Sequence, residues 1–257
     1  YVWDRYPDYF GPGRLSWPAR WIVPRVAAWL RAWDVATAPR VHRFAANSAY
    51  VAARIRRYYG RPAEVIPPPV DTDFFSPGDG GAGNYVLVIS GLEPYKRLDL
   101  LLEAYRGSGL PLRVVGTGTQ EARLRALAPP EARFLGKVGD EALRDLYRGS
   151  RAVIMPGVED FGIVPLEAMA CGRPAVVFAE GGGPESVTHG ETGLLFHEPT
   201  AASLRAAVAD LGRRRFDTMA LRQRAQAQSR QAFEARVREF VELALAEGGA
   251  EVAQPTW

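Results

Sequence analysis

The 257-residue chain holds one cysteine and three histidines. A lone cysteine excludes an internal disulfide, and Cys171, late in an apolar helical stretch, reads as a small buried hydrophobe rather than a nucleophile. His189 and His197 stand apart, and no acids or cysteines gather at ligand spacing, so metal-independent chemistry without a cofactor is expected. No apolar run approaches the roughly 18 to 20 residues that cross a bilayer, and no secretory signal pattern opens the sequence; a cytoplasmic location is the expectation. The third glycine of a dinucleotide fingerprint is also missing. After Gly116-Thr-Gly-Thr119, Glu121 stands where Gly-x-Gly-x-x-Gly requires glycine, which argues against a dehydrogenase.

What is present is 47% hydrophobic residues, enough for one good core or two modest ones, and a mild net charge of +3. That charge is unevenly spread. Through Gly60 there are ten arginines (5, 14, 20, 25, 31, 40, 43, 54, 56, 57) against Asp4, Asp8 and Asp34, so this end is basic. No nucleic-acid partner is expected.

From Tyr85 onward, apolar strands alternate with amphipathic helices. Strands are predicted at 85–90, 110–115, 133–135, 152–155, 175–178 and 194–196, and helices at 96–106, 120–127, 140–147 and 165–170. Such βα alternation implies an α/β fold with a parallel, doubly wound sheet, whose ligands bind at the carboxyl ends of the strands. Helical patterning follows at 200–211, about 218–231 and 233–246. Before Tyr85 the pattern differs. Residues 1–34 carry Trp3, Trp17, Trp21, Trp29 and Trp33 among arginines and prolines. Phe44-Ala-Ala-Asn-Ser48 reads as a strand ending at a helix cap, 49–59 as a helix and 64–67 as a strand. Pro67-Pro-Pro-Val-Asp-Thr-Asp-Phe-Phe-Ser-Pro77 has the stiffness of an interdomain linker.

The richest segment is Glu159-Asp-Phe-Gly-Ile-Val-Pro-Leu-Glu-Ala-Met-Ala-Cys-Gly172, where two carboxylates flank a glycine turn into a short helix. Pro165 suits a first helical turn, so the N–H groups of Phe161, Gly162 and Ile163 are expected to open that helix. A helix N-terminus attracts phosphate, and neighbouring carboxylates accept hydrogen bonds from vicinal hydroxyls. A sugar nucleotide meets both requirements. Glycosidase chemistry is less well served, since its acid pair faces across a bond, usually from separate strands.

The Glu-x7-Glu spacing of Glu159 and Glu167 resembles the signature of retaining glycosyltransferases of family 4, which have the GT-B architecture. Ile154-Met-Pro156, Gly172-Arg-Pro-Ala-Val-Val177, Gly181-Gly-Gly-Pro-Glu-Ser-Val187 and Gly190-Glu-Thr-Gly-Leu-Leu-Phe196 resemble that family's neighbouring segments, in the same order. "Ala-Asn-Ser" and "Pro-Pro-Val-Asp" resemble landmarks of its N-terminal domain. The resemblance implies a complete doubly wound donor domain at 73–217 and a partial N-terminal Rossmann-like domain at 1–72. Helices at 218–257 would pack back on that N-domain. Only about 70 residues precede the linker, too few for a full partner domain, and the first residue is not methionine, so a truncated product is expected.

By the same resemblance, Glu159 meets the donor sugar's hydroxyls and Glu167 the ribose diol. Lys96, with Arg97 second, neutralises the leaving diphosphate; the usual arginine just after the strand is replaced here by Gly91. Gly116 and Gly118 lie near the nucleotide, and Lys137 with Val138 supplies backbone contacts to the base. Gly181, Gly182 and Gly183 would let backbone approach sugar or phosphate, with Glu185 near the next helix start. The implied activity is retaining transfer of a hexose from a nucleotide diphosphate sugar to a glycan or lipid-linked acceptor. Similarity to mannosyltransferase-like members of lipopolysaccharide assembly tilts the donor towards GDP-mannose. Two other readings stay open: a donor-binding fragment without turnover, and a sugar phosphorylase of the same architecture. The tryptophan–arginine mix at 14–33 suits either an interfacial helix on anionic lipid, giving peripheral contact at the inner face of the plasma membrane, or packing against the rest of the N-domain.

Overall fold

Continuous apolar runs such as Tyr85-Val-Leu-Val-Ile89 become strands here because both faces of the sheet are covered. The computed structural model describes residues 3–4, 6–11, 15–81 and 83–252. Arg5, Arg14 and the outermost residues of the first and last expected segments lie outside it.

The N-terminal part comprises α1 (Tyr6–Phe10), α2 (Ala19–Thr37), β1 (Phe44–Ala46), α3 (Ala49–Tyr59) and β2 (Ala63–Val65). β1 and β2 pair in parallel, Phe44 opposite Ala63 and Ala46 opposite Val65, so β1-α3-β2 is one βαβ unit. Ser48 caps α3 by accepting the Val51 N–H, and Gly60 ends it in the left-handed region.

The second part runs β3 (Tyr85–Ile89), α4 (Leu98–Tyr105), β4 (Leu112–Val115), α5 (Glu121–Leu127), β5 (Ala132–Gly136), α6 (Asp140–Gly149), β6 (Ser150–Met155), α7 (Ile163–Ala170), β7 (Ala175–Phe178), β8 (Gly193–Phe196) and α8 (Ala201–Leu211). α9 (Thr218–Gln226) and α10 (Arg230–Val252) follow. The six strands form one parallel sheet in the order β5-β4-β3-β6-β7-β8. Period-two alternation divides the core. Val86, Val88, Ile154, Val176 and Leu194 face one way and pack with Leu101, Leu102 and Leu204. Leu87, Val153, Met155 and Val177 face the other and pack with Tyr147, Leu166, Met169 and Leu221. Full burial of each such aliphatic side chain contributes about 1.5–3 kcal/mol before the chain-entropy cost is set against it.

Among the boundaries that differ from the sequence-based expectation, three are informative. The helix expected from Lys96 begins only at Leu98, because Pro94 opens a 3-10 turn through Lys96 and Arg97 then adopts φ 55. The helix expected from Pro165 begins two residues earlier, at Ile163. The break expected near residue 232 falls at 227–229, where Ser229 Oγ accepts the Ala232 N–H and starts α10 afresh.

Strand order reverses between β3 and β6, which opens a crevice at their carboxyl ends. The N-terminal part reaches this crevice. Val70 forms a bridge with Ser229, and Arg43 pairs with Glu247 of α10 at 3.7 Å while lying over the Phe240 ring.

Candidate functional site

A cleft of about 680 Å³ fills the switch-point crevice. Ser90, Gly91 and Lys96 follow β3, Gly116 and Thr117 follow β4, Lys137 and Val138 follow β5, and Pro156, Gly157 and residues 159–164 follow β6 in lining it. Asn47 and Pro68 of the N-terminal part complete the wall, so the cleft is shared between the two halves.

Lys96 and Glu159, 63 residues apart, meet there: the ammonium donates to both carboxylate oxygens, at 2.5 and 2.6 Å. Both side chains are about one-fifth exposed, so the pair is shielded yet open to a ligand. The 3-10 turn aims Lys96 inward, and its ammonium lies 4.8 Å from the centre of the Tyr95 ring. The left-handed Arg97 turns away, pairing with Asp99 at 3.4 Å and lining no part of the cleft. A cation at position 97 therefore does not join Lys96, contrary to the expectation from sequence.

Helix α7 opens onto the same cleft. Gly162 precedes it with φ 90, a backbone conformation that calls for glycine, and a Cβ there would also press on the flexible Met155 Cε at 2.8 Å. Ile163 and Val164 are the first two helical residues and Pro165 the third. Their N–H groups have no intrahelical acceptor, and Pro165 has no N–H at all, so the free donors are those of Ile163 and Val164. Pro165 does lie in the first helical turn, as expected; of the three N–H groups expected to open the helix, that of Ile163 does so, Gly162 is the residue preceding the helix, Phe161 lies before it, and Val164 was not named. Phe161 lines the cleft but buries its ring in the core.

Glu167 lies one turn deeper. Ile163 and Val164, on the preceding turn, line the cleft while Glu167 itself does not. Its carboxylate accepts the Tyr147 hydroxyl at 2.5 Å. Burial pushes the Glu167 carboxyl up to about 7; the Tyr147 hydrogen bond opposes this and the Asp140 charge adds to it. Burial also raises Tyr147 well above its ordinary value. Neither Tyr147 nor its pairing was named from sequence, though it lies one turn beyond Leu143, a residue of the cleft wall.

The glycines divide by position. Gly116 lines the cleft, with φ 127, and any Cβ would overlap the Ser90 carbonyl oxygen. Gly118 does not line it; a Cβ there would meet Leu92 N and O at 2.6 Å. Gly182 packs on Asp160 and Gly183 on Met155 and Val177, while the Gly182 N–H donates to the Glu159 carbonyl at 2.8 Å. The Gly181–Gly183 loop thus supports the Glu159 segment from behind and takes no part in the cleft wall, which is where the sequence reading had put it. Glu185 stands in the first turn of a 3-10 helix, Gly183–Ser186, as expected near a helix start, and its carboxylate reaches α3. Among the described residues no three His, Cys, Asp or Glu side chains are grouped to hold a metal ion. Burial pushes the Cys171 thiol up to about 12.

These features define a GT-B fold, and comparisons with known proteins specify its family. The group 1 glycosyl transferase profile matches residues 70–232, and that of glycosyltransferase family 4 matches residues 7–74. The chain belongs to the group 1 glycosyl transferases. It is 35% identical over 199 residues to the D-inositol 3-phosphate glycosyltransferase of Geodermatophilus obscurus, covering 65% of this chain and 44% of that protein. Against the protein of the same name from Actinosynnema mirum it is 36% identical over 186 residues, covering 60% and 45%. The chain thus spans less than half the length of these relatives. Among solved structures, Anabaena HepE in complex with UDP and glucose superposes with a TM-score of 0.69 at 21% identity, over 82% of this chain and 66% of that one. Sucrose-phosphate synthase from Thermosynechococcus elongatus gives 0.68 at 24%, over 79% and 58%.

Proposed function

We propose that the protein to which this chain belongs transfers a hexose from a nucleotide diphosphate sugar to a hydroxyl acceptor, with retention of configuration and without a metal ion. The observation that carries this reading is the convergence of Lys96, Glu159 and the free Ile163 and Val164 N–H groups on one cleft. A diphosphate placed between Lys96 and the α7 opening gains two kinds of donor. Both strengthen as the sugar–oxygen bond breaks and negative charge grows on the departing phosphate. Glu159 accepts hydrogen bonds from the sugar hydroxyls, holding the ring for attack from the face the diphosphate leaves. The acceptor oxygen bonds to the anomeric carbon on the face from which the sugar–phosphate bond breaks, so no covalent intermediate on the enzyme is needed, and the acceptor proton passes to the leaving phosphate oxygen.

The donor sugar is proposed to be a hexose of the GDP-mannose kind, by resemblance. The solved neighbour that holds UDP and glucose makes a UDP sugar the comparison to run. A thermal-shift screen of UDP, GDP and ADP sugars, repeated in EDTA, is expected to show stabilisation by one base and no effect of chelation. If none of the three stabilises the protein, the donor-site reading is wrong. Transfer of radiolabelled sugar, run beside calorimetry, distinguishes turnover from binding alone. Phosphate-dependent release of sugar phosphate would mark a phosphorylase. Acceptors to test include glycan and lipid-linked hydroxyls and, from the relatives' names, a phosphorylated inositol.

A specific feature supports a lipid-linked acceptor. Around α2, Trp17, Trp21, Trp29 and Trp33 are all more than half exposed, with Arg20 and Arg25 among them. We propose that this face makes a peripheral contact with anionic membrane; no helix among the described residues is long and apolar enough to cross one. Sedimentation with vesicles should rise with anionic lipid content, and binding indifferent to that content would refute the contact.

A further inference from the structure

The N-terminus of α3 is capped from the other half of the molecule. Three N–H groups of its first turn need acceptors from outside the helix. Ser48 supplies one, accepting the Val51 N–H at 3.0 Å. The other two are met by Glu185: its Oε2 accepts from Ala49 N–H at 2.8 Å and its Oε1 from Tyr50 N–H at 2.9 Å, across 136 and 135 residues of sequence. α3 has no acidic residue in its own first turn, so Glu185 is also the only carboxylate hydrogen-bonded to that end of the helix dipole among the described residues.

Glu185 is itself held in place. Arg224 of α9 donates to the Glu185 carbonyl, and through Nε to the Ser186 carbonyl at 3.2 Å. The same end of α3 holds the segment that carries Glu159. The buried Ser48 hydroxyl donates to the Asp160 carbonyl at 2.5 Å, and Arg54 pairs with the Asp160 carboxylate at 2.9 Å. The two loops that follow β6 and β7 are therefore both fastened to one helix end, and they are fastened to each other where Gly182 donates to Glu159.

We propose that Glu185 is a positioning residue. It latches α3 to the donor half and, through Ser48 and Asp160, sets the place of Glu159 opposite Lys96. Seated, the latch keeps Asn47 against the cleft and couples the N-terminal half to the donor site; released, it frees the helix end and the 159–161 segment together. The latch stands on geometry alone, and its consequence for sugar transfer rests on the function proposed above.

Hydrogen exchange read by mass spectrometry on the whole chain tests this, comparing wild type with Glu185→Ala and Glu185→Gln. The alanine variant removes both acceptors. Exchange in segment 49–51 should rise roughly tenfold, in line with loss of a strong helix cap, and segment 158–164 should speed up with it. Glutamine keeps one acceptor oxygen and should restore part of the protection in both segments, a graded rescue that also serves if the alanine variant folds poorly. Unchanged exchange at 49–51 in both variants overturns the latch. Faster exchange at 49–51 alone, with 158–164 unmoved, overturns the coupling to Glu159. Adding UDP and GDP in turn separates the two ideas: failure of both to protect segment 158–164 in wild type counts against the donor-site reading and leaves the latch result standing.

Discussion

Glu167→Gln should stabilise the fold at alkaline pH and weaken nucleotide binding. Burial shifts the Glu167 carboxyl from 4.5 to about 7 in the folded chain. Each unit corresponds to about 1.4 kcal/mol, and with residual solvent contact discounted the cost of holding the charge is roughly 2 to 3 kcal/mol. The sign follows from proton counting. Between about pH 4.5 and 7 the unfolded chain has released this proton while the folded one still holds it, so the contribution of Glu167 to stability falls as pH rises through that window and is level above it. Gln has no charge to bury, and its carbonyl oxygen still accepts the Tyr147 hydroxyl. The variant should match wild type near pH 4 and exceed it near pH 8, by roughly 4 to 10 °C in melting temperature. Urea or thermal melts of both proteins at the two pH values give the double difference, in which other titrating groups cancel. An equal pH dependence in the two proteins would refute the buried-charge argument. Function tests the ribose-diol role that the family resemblance implies for Glu167, a residue outside the cleft lining: a carboxylate accepts hydroxyls better than an amide does, so under that role nucleotide affinity of the variant should drop roughly tenfold. Unaltered affinity would assign Glu167 to the scaffold behind Ile163 and Val164.

Further outcomes are expected. Lys96→Ala removes the ammonium from the Glu159 pair, and calorimetry should show nucleoside diphosphate affinity falling roughly 10- to 100-fold; no change would remove Lys96 from the phosphate site. Gly116→Ala places a Cβ on the Ser90 carbonyl at a positive φ, costing roughly 2 to 4 kcal/mol, and a melt matching wild type would contradict that packing. Cys171, 1% exposed with its thiol pushed up to about 12, should resist a thiol reagent until urea unfolds the chain; rapid labelling of the native protein would show the α7 end to be open.

The sheet was legible before any coordinates. Tyr85 to Ile89, Ala152 to Met155 and Ala175 to Val177 are unbroken apolar runs, and only a strand buried on both faces tolerates such a run, which in turn demands helices on both sides. The Gly162 turn between Glu159 and Glu167 was legible for a similar reason, because its glycine and proline carry local backbone requirements. Arg97 was misplaced because its φ of 55 follows from a 3-10 turn that packing completes, and a basic residue next to Lys96 carries no sign of it.

From Tyr85 onward, sequence by itself determined which segments are strands and which helices, and that two carboxylates and a helix opening surround one glycine turn, since period and turn chemistry are written in neighbouring residues. Tertiary structure alone decided the partners: Lys96 with Glu159, Tyr147 with Glu167, Glu185 with the end of α3. Those pairings depend on strand order and on the docking of one half against the other. A hydrogen bond that spans 136 residues leaves no trace in the local pattern at either end.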